Sequence, residues 1–435
     1  MTLAVVVQRY GAEISGGAEL HARYVAERLA RHADVEVLTT CARDYVTWRN
    51  EYPPGTERIN GVAVHRYPVR RDRDVEVFSR LSELVFGRQH SLADELAWLD
   101  AEGPASPALI RQVQATGQQY DFFLFFSYRY YHAFHGVRAA TDRAVLVPTA
   151  ERDAAIGLAM FRPVFQRVRA LMYNSYEERD MIHAVAGNQA VPGVVVGVGS
   201  EVPARPDAAR FRQKFNLHGR FAIYVGRIDE NKGCQELFDF FIRYAGASRE
   251  GLSLVLVGAS ILPIPDHPRI RHLGFLSDED KFDALEAADM LIIPSFLESL
   301  SMVALEAWAL GKPVVANARC DVLHGQCLRS NGGLFYGNGR EFAEVLRTIE
   351  ASDGLARALG ENGRAYFERH YTWPVIERKY IDMLERLRRE PAGEAARCSS
   401  AWPLAGWLER RRRTIPPARH VLERIPSGPS RAREA

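Results

Sequence analysis

The 435-residue chain has little cysteine, almost no net charge and no long apolar run, and each shortage removes a class of protein. Its five cysteines (Cys41, Cys234, Cys320, Cys327 and Cys398) are odd in number and scattered, with no CxxC pair and no Cys/His ligand spacing. That argues against a disulfide framework or a thiolate metal site, and for a reducing compartment. A formal charge of +2 advertises no nucleic-acid partner. Residues 2–7 are apolar but short and lack a basic leader, and no run approaches the roughly eighteen apolar residues of a spanning helix, so a cytoplasmic protein is expected. The first glycine-bearing loop is not G-x-G-x-x-G, which counts against a dinucleotide dehydrogenase.

What the chain does have is alternation. With 47% hydrophobic residues it is long enough for more than one core. Continuous apolar strands are expected at 3–7, 35–39, 62–67, 121–126, 144–147, 170–173 and 194–198, with helices at 17–31, near 78–99 and around 177–184. The theme repeats at 221–225, 252–257, 270–273, 290–293, 313–316 and 334–336. Buried strands alternating with helices predict doubly wound parallel sheets, so the fold class is α/β, and two such domains would face each other across a cleft at their strand carboxyl ends. The Pro/Gly-bearing stretch 197–207 reads as the linker.

Three segments carry chemistry. Glu298 and Glu306 stand eight positions apart in Pro294-Ser-Phe-Leu-Glu-Ser-Leu-Ser-Met-Val-Ala-Leu-Glu306, between two apolar strands. On one helix they would point about 80° apart, so the spacing fits Glu298 in the turn and Glu306 two turns into the helix. The helix start between them, Ser299-Leu300-Ser301, offers free N–H groups to an anion. In Tyr224-Val-Gly-Arg-Ile-Asp-Glu-Asn-Lys232, a strand breaks at Gly226 and presents Arg227 and Lys232, the usual partners of phosphate oxygens. Ile14-Ser-Gly-Gly-Ala-Glu19 follows the first strand, and Gly16 and Gly17 would let the backbone approach a phosphate. Each alone has a plain structural reading: a surface glutamate, a solvated loop, an ordinary strand-to-helix turn. Ser175 with Glu178 reads as a capping box.

In this order, these motifs resemble the retaining family 4 glycosyltransferases of GT-B fold, of the bacterial polysaccharide and lipopolysaccharide type. The resemblance spans most of residues 1–390. It implies a first Rossmann-like domain at 1–198 on the acceptor side, a nucleotide-sugar domain at 199–372, and a crossing helix at 373–390. It further implies transfer of a sugar from a nucleoside-diphosphate sugar to a glycan or lipid-linked acceptor without a metal or other cofactor. Arg227, Lys232, Gly16 and Gly17 would hold the diphosphate, Glu306 the ribose and Glu298 the donor sugar. The chain departs from the family pattern in Val147-Pro-Thr-Ala-Glu-Arg-Asp153, where Glu151 stands in place of an expected histidine. His132 and His135, in the aromatic loop 127–135, are candidate substitutes, with a merely structural loop as the competing reading. His324 and Arg329 could reach the cleft. A GT-B epimerase, a silent partner subunit and a sugar-binding module remain as alternatives.

The segment 391–435 is basic, with nine Arg against four Glu, and too poor in apolar residues for a core of its own. Trp402 and Trp407 beside four consecutive arginines suit an anionic membrane surface at the inner face of the plasma membrane, while a solvated, disordered tail explains the composition equally.

Overall fold

The computed structural model describes residues 1–14, 16–247 and 251–393, so the reading of the basic tail lies outside the described residues beyond Gly393. In the first half, the strands are β1 (Thr2–Val6), β2 (Asp34–Thr40), β3 (Gly55–Ile59), β4 (Val62–Tyr67), β5 (Phe122–Phe126), β6 (Ala144–Val147), β7 (Ala170–Tyr173) and β8 (Gly193–Val195). They form one sheet in the order β3-β4-β2-β1-β5-β6-β7-β8, parallel except for β3. The second half supplies β9 (Phe221–Val225), β10 (Ser253–Val257), β11 (Ile270–His272), β12 (Met290–Ile293), β13 (Val314–Asn317) and β14 (Gly333–Tyr336). Their order, β11-β10-β9-β12-β13-β14, is the doubly wound one, in which the chain reverses direction across the sheet between β9 and β12.

The central strands such as β5, β6, β9 and β12 are apolar throughout, as expected of strands covered on both faces. In β5 the alternation is visible in the packing: Phe122, Leu124 and Phe126 enter one core, and Phe123 and Phe125 the other. The first of these cores continues through the helices Gly17–Leu29 and Trp373–Arg389 into the second half. The latter helix buries Trp373, Ile376, Tyr380, Met383, Leu384 and Leu387, a stripe at three- and four-residue spacing. Each fully buried side chain of this size contributes roughly 1.5–3 kcal/mol. Its last carbonyls are met by Arg169 of the first half, whose guanidinium donates to Leu387 O at 2.6 Å and Pro391 O at 3.0 Å.

Several elements differ from the sequence expectation. The helix expected near 78–99 is two helices, Val75–Gly87 and Leu92–Glu102, because Ser91 and Asp94 form a capping box that starts a new helix. Strand β3 was not anticipated; it is an exposed edge strand paired to β4 through the Asn60-Gly61 turn, where both residues have positive φ. The aromatic stretch after β5 is largely helical, Tyr131–Ala139, and Pro107–Ala115 is a further helix.

One glycine sets the spacing on which the cleft depends. Gly233 (φ 72°) starts the helix Cys234–Gly246, and a Cβ on it would lie 2.2 Å from Pro294 O, so the loops after β9 and β12 touch through backbone. Gly233→Ala should destabilise the fold by more than about 1 kcal/mol, since it meets both a left-handed φ and a carbonyl that cannot move freely. A urea midpoint shift checks this, and an unshifted midpoint would show that the loops separate at little cost.

Candidate active site between the two sheets

The strand carboxyl ends of both sheets open onto one cavity of about 680 Å³. Gly16 and Gly17 line it from the start of the helix Gly17–Leu29, whose N-cap residue Gly16 offers no side-chain cap, leaving the first N–H groups free of one. Opposite them, Ser299, Leu300, Ser301, Met302 and Val303 bring the start of the helix Met302–Ala309 to the same space, again without a side-chain cap. Two uncapped helix starts thus meet at one cleft, an arrangement suited to an anion.

The cationic loop after β9 owes its shape to Asp229, a residue the sequence reading passed over. Its buried carboxylate accepts from the backbone N–H of Lys232 at 2.8 Å and from Nε of Arg227, an Asx-type turn that turns both basic side chains to one side. Arg227 remains 61% exposed, whereas Lys232 donates to Glu298 Oε1 at 2.8 Å. Burial opposes the Lys232 charge, but Glu298 and then Glu151 raise its pKa on balance. The Glu151 carboxyl is pushed up by burial and by the charge of Glu298, with Lys232 pulling it back. Glu151, Lys232 and Glu298 therefore form one electrostatic group lining the cavity.

Glu306 is placed differently. It lies further along the helix Met302–Ala309, outside the cavity lining, with its carboxylate 3.0 Å from Lys281 Nζ and hydrogen-bonded to Ser200; burial raises its pKa and Lys281 lowers it. His132 does not reach the cleft. It sits on the helix Tyr131–Ala139, fully buried, with Nε2 donating to Phe126 O at 2.8 Å, and burial pushes its pKa down to about 4. His135 packs on Tyr131 and Phe134, and burial takes it to about 3. Both sit behind the cleft wall because the residues expected as a loop wind into a helix whose apolar face they share. His324 packs on Phe335, and Arg329 pairs with Glu177 across the two halves, neither lining the cavity.

Glu178 is more than a cap partner. Ser175 accepts from the Glu178 N–H as expected, while the fully buried Glu178 carboxylate accepts from the N–H groups of Asn174 and Ala150. It thereby ties the loop bearing Glu151 to Asn174, whose amide reaches Ser299 of the other half at 3.4 Å. Burial pushes this carboxyl up to about 8. The folded state thus holds a proton the unfolded chain releases near 4.5, and its stabilising contribution is lost as pH rises from there through about 8. Glu178→Ala should flatten that part of the stability–pH profile. At low pH it should also cost on the order of 1–3 kcal/mol for each stranded N–H. Chemical denaturation between pH 4.5 and 8.5 checks this; an unchanged slope would place the titrating group elsewhere.

Two doubly wound sheets facing across such a cleft, with the helix Trp373–Arg389 packed back on the first half, define the GT-B fold. Residues 207–366 match the family model described as glycosyl transferases group 1. Among curated relatives, the mannosylfructose-phosphate synthase of Agrobacterium fabrum is 26% identical over 223 residues, covering 45% of this chain and 47% of that protein. The D-inositol 3-phosphate glycosyltransferase of Corynebacterium kroppenstedtii is 33% identical over 201 residues, 42% of this chain and 44% of that one. The chain spans about half the length of the curated relatives it matches. Among solved structures, sucrose-phosphate synthase from Thermosynechococcus elongatus superposes with a TM-score of 0.65 at 17% identity, covering 89% of this chain and 99% of that one. Anabaena HepE in complex with UDP-glucose gives 0.64 at 17% identity, covering 89% and 100%.

Proposed function

We propose that the protein is a retaining glycosyltransferase of family 4 type that moves a sugar from a nucleoside-diphosphate sugar to a glycan or lipid-linked acceptor in cell-surface polysaccharide assembly. The observation that carries this reading is the convergence of Arg227, Lys232 and the uncapped helix starts at Gly16 and Ser301 on one cavity, beside the carboxylates Glu298 and Glu151. The match to the glycosyl transferases group 1 model over the same half supports it, as do relatives named as glycosyltransferases and a structural neighbour solved with UDP-glucose.

In this reading the leaving diphosphate lies between the two helix starts, with Arg227 and Lys232 neutralising the charge that grows on it as the glycosidic bond breaks. Stabilisation of that charge is the main contribution, and the two cations supply it without a metal. Glu298, held by Lys232, organises the donor sugar, and the acceptor hydroxyl attacks on the face the diphosphate leaves. Glu151 takes the position of the family histidine and orients the sugar or acceptor. Glu306 binds the ribose hydroxyls, which must compete with Lys281 for its oxygens. Among the described residues no helix is long and apolar enough to cross a membrane.

Arg227→Ala and Lys232→Ala should each lower turnover roughly a hundredfold or more, about 3 kcal/mol of lost charge stabilisation. Losing the exposed Arg227 should cost little Tm, whereas Lys232→Ala also strands the Glu298 carboxylate and should lower it. Full activity of the double variant would remove the central claim. A panel of UDP-, GDP-, ADP- and dTDP-sugars identifies the donor, since a ligand at a hundred times its Kd stabilises by about 2.7 kcal/mol. With that donor, Glu306→Gln should mainly raise KM and Glu298→Gln should lower kcat, because one binds ground and transition states alike and the other only organises the reacting sugar. Indistinguishable effects would reject the division of roles.

A further inference from the structure

The wall of the cleft built by the first half has a composition unlike the donor side. Its charged members among the described residues are Arg9, Glu19, Arg129, Glu151 and Asp153, two cations against three carboxylates. Both cations are already engaged. Arg9 donates through Nε at 2.9 Å and Nη2 at 2.6 Å to Glu19, and through Nη1 to Arg43 O at 2.8 Å, with its side chain only 11% exposed. Arg129 lies 3.1 Å from the buried Glu102 and 2.8 Å from Asp153. A phosphate arriving here would find Arg9 fully engaged and Arg129 flanked by two carboxylates, although its Nε makes no hydrogen bond among the described residues, and would face an excess of carboxylate. On the donor side the balance is the reverse, since Arg227 is mostly exposed and the uncapped helix start at Ser301 lines the same cavity.

The remaining groups on this wall are neutral. Gln8, His21 and Asn174 are almost fully buried, line the cavity, and each carries a polar atom with no hydrogen-bond partner among the described residues: Gln8 Oε1, His21 Nδ1 and Asn174 Oδ1. Burial pushes His21 down to about 3, so its ring is uncharged near neutrality. A buried polar atom left without a partner is costly, and neutral amide and imidazole groups along this wall suit hydroxyl groups better than a charged group. Tyr45, 42% exposed, adds an aromatic edge to the wall, its hydroxyl fixed on Tyr130 at 3.0 Å and its ring held by Arg9, Arg73 and Trp48.

We propose that the acceptor end entering this wall is an uncharged glycan, recognised through its hydroxyls, and not a phosphorylated sugar. This rests on the glycosyltransferase reading and adds the acceptor's chemical class to it.

Sulfate, titrated into the full chain against chloride at equal ionic strength, tests the charge argument by thermal shift. In the wild type a saturable sulfate effect is expected and should vanish in Arg227→Ala/Lys232→Ala, because the second half holds the open anion site. Absence of any sulfate effect in the wild type would count against the donor site and leave the acceptor wall, also silent, as proposed. Sulfate binding that persists in the double variant and disappears when Arg129→Gln is added overturns the proposal. Adding Asp153→Asn to the double variant should create sulfate affinity at least tenfold above its parent. No gain, in a protein whose Tm shows it folded, would mean that carboxylate pairing is not what excludes the anion, and would also overturn it. If that variant unfolds, Glu19→Gln, which releases Arg9, serves in its place. With the donor in hand, methyl glucoside should outcompete glucose 6-phosphate as acceptor by tenfold or more in kcat/KM, and the opposite preference refutes the assignment.

Discussion

The contact between Lys232 and Glu298 is the interaction on which the cleft is organised. It joins the loops that follow β9 and β12, the two strands between which the second sheet reverses its winding, and so falls where a doubly wound sheet leaves its crevice. A largely buried ion pair is not a cheap way to hold two loops, because desolvation opposes it. Here the cost is offset by backbone. Asp229 fixes the lysine loop through its N–H, and Gly233 lets that loop rest directly on the carbonyl of Pro294. The charge pair is thus built on a rigid frame, and both partners face the cavity with defined geometry.

The two halves are joined by unlike contacts. Away from the cleft, the helix Trp373–Arg389 and the helix Gly17–Leu29 share one apolar core, anchored further by Arg169. Elsewhere the two halves also meet through polar contacts: Arg152 with Asp321, Arg329 with Glu177, and, at the cavity itself, Asn174 with Ser299. Partly exposed ion pairs of this kind are worth about 0–1 kcal/mol each, so the shared apolar core contributes more to holding the two halves together.

Much of the fold was legible from local pattern. Apolar runs such as Phe122–Phe126 and Met290–Ile293 have the length and composition of strands buried on both faces, and the stripe from Trp373 to Leu387 has helical period. The misreadings share a cause. Ser91-Leu-Ala-Asp94 carries a capping signal inside an apolar stretch, and Asn60-Gly61 is a hairpin signal beside the polar edge strand β3; hydrophobic periodicity outweighed both in the reading although each local cue was present. The helix Tyr131–Ala139 was missed because its aromatic residues are poor helix formers, and tertiary packing against β5 and β6 decides its state.

The sequence by itself determined two features that line the cavity from the second half, a basic loop after one strand and a glutamate before a helix after another, since the order of elements along the chain and the chemistry of each loop are local properties. It also determined that Gly16 and Gly17 open the first helix. Only the tertiary structure decided which side chains share a field. His132 and Glu151 both follow central strands of the first sheet, yet one turns into the core behind β5 and the other faces Lys232 across the cleft. Which carboxylate neutralises which arginine was equally invisible, because Arg9 with Glu19, Arg129 with Glu102, and Glu178 with the Ala150 and Asn174 amides pair groups on loops with groups on helices. Electrostatic balance and hydrogen-bond completion depend on separations of a few ångströms through space, and spacing along the chain does not specify those.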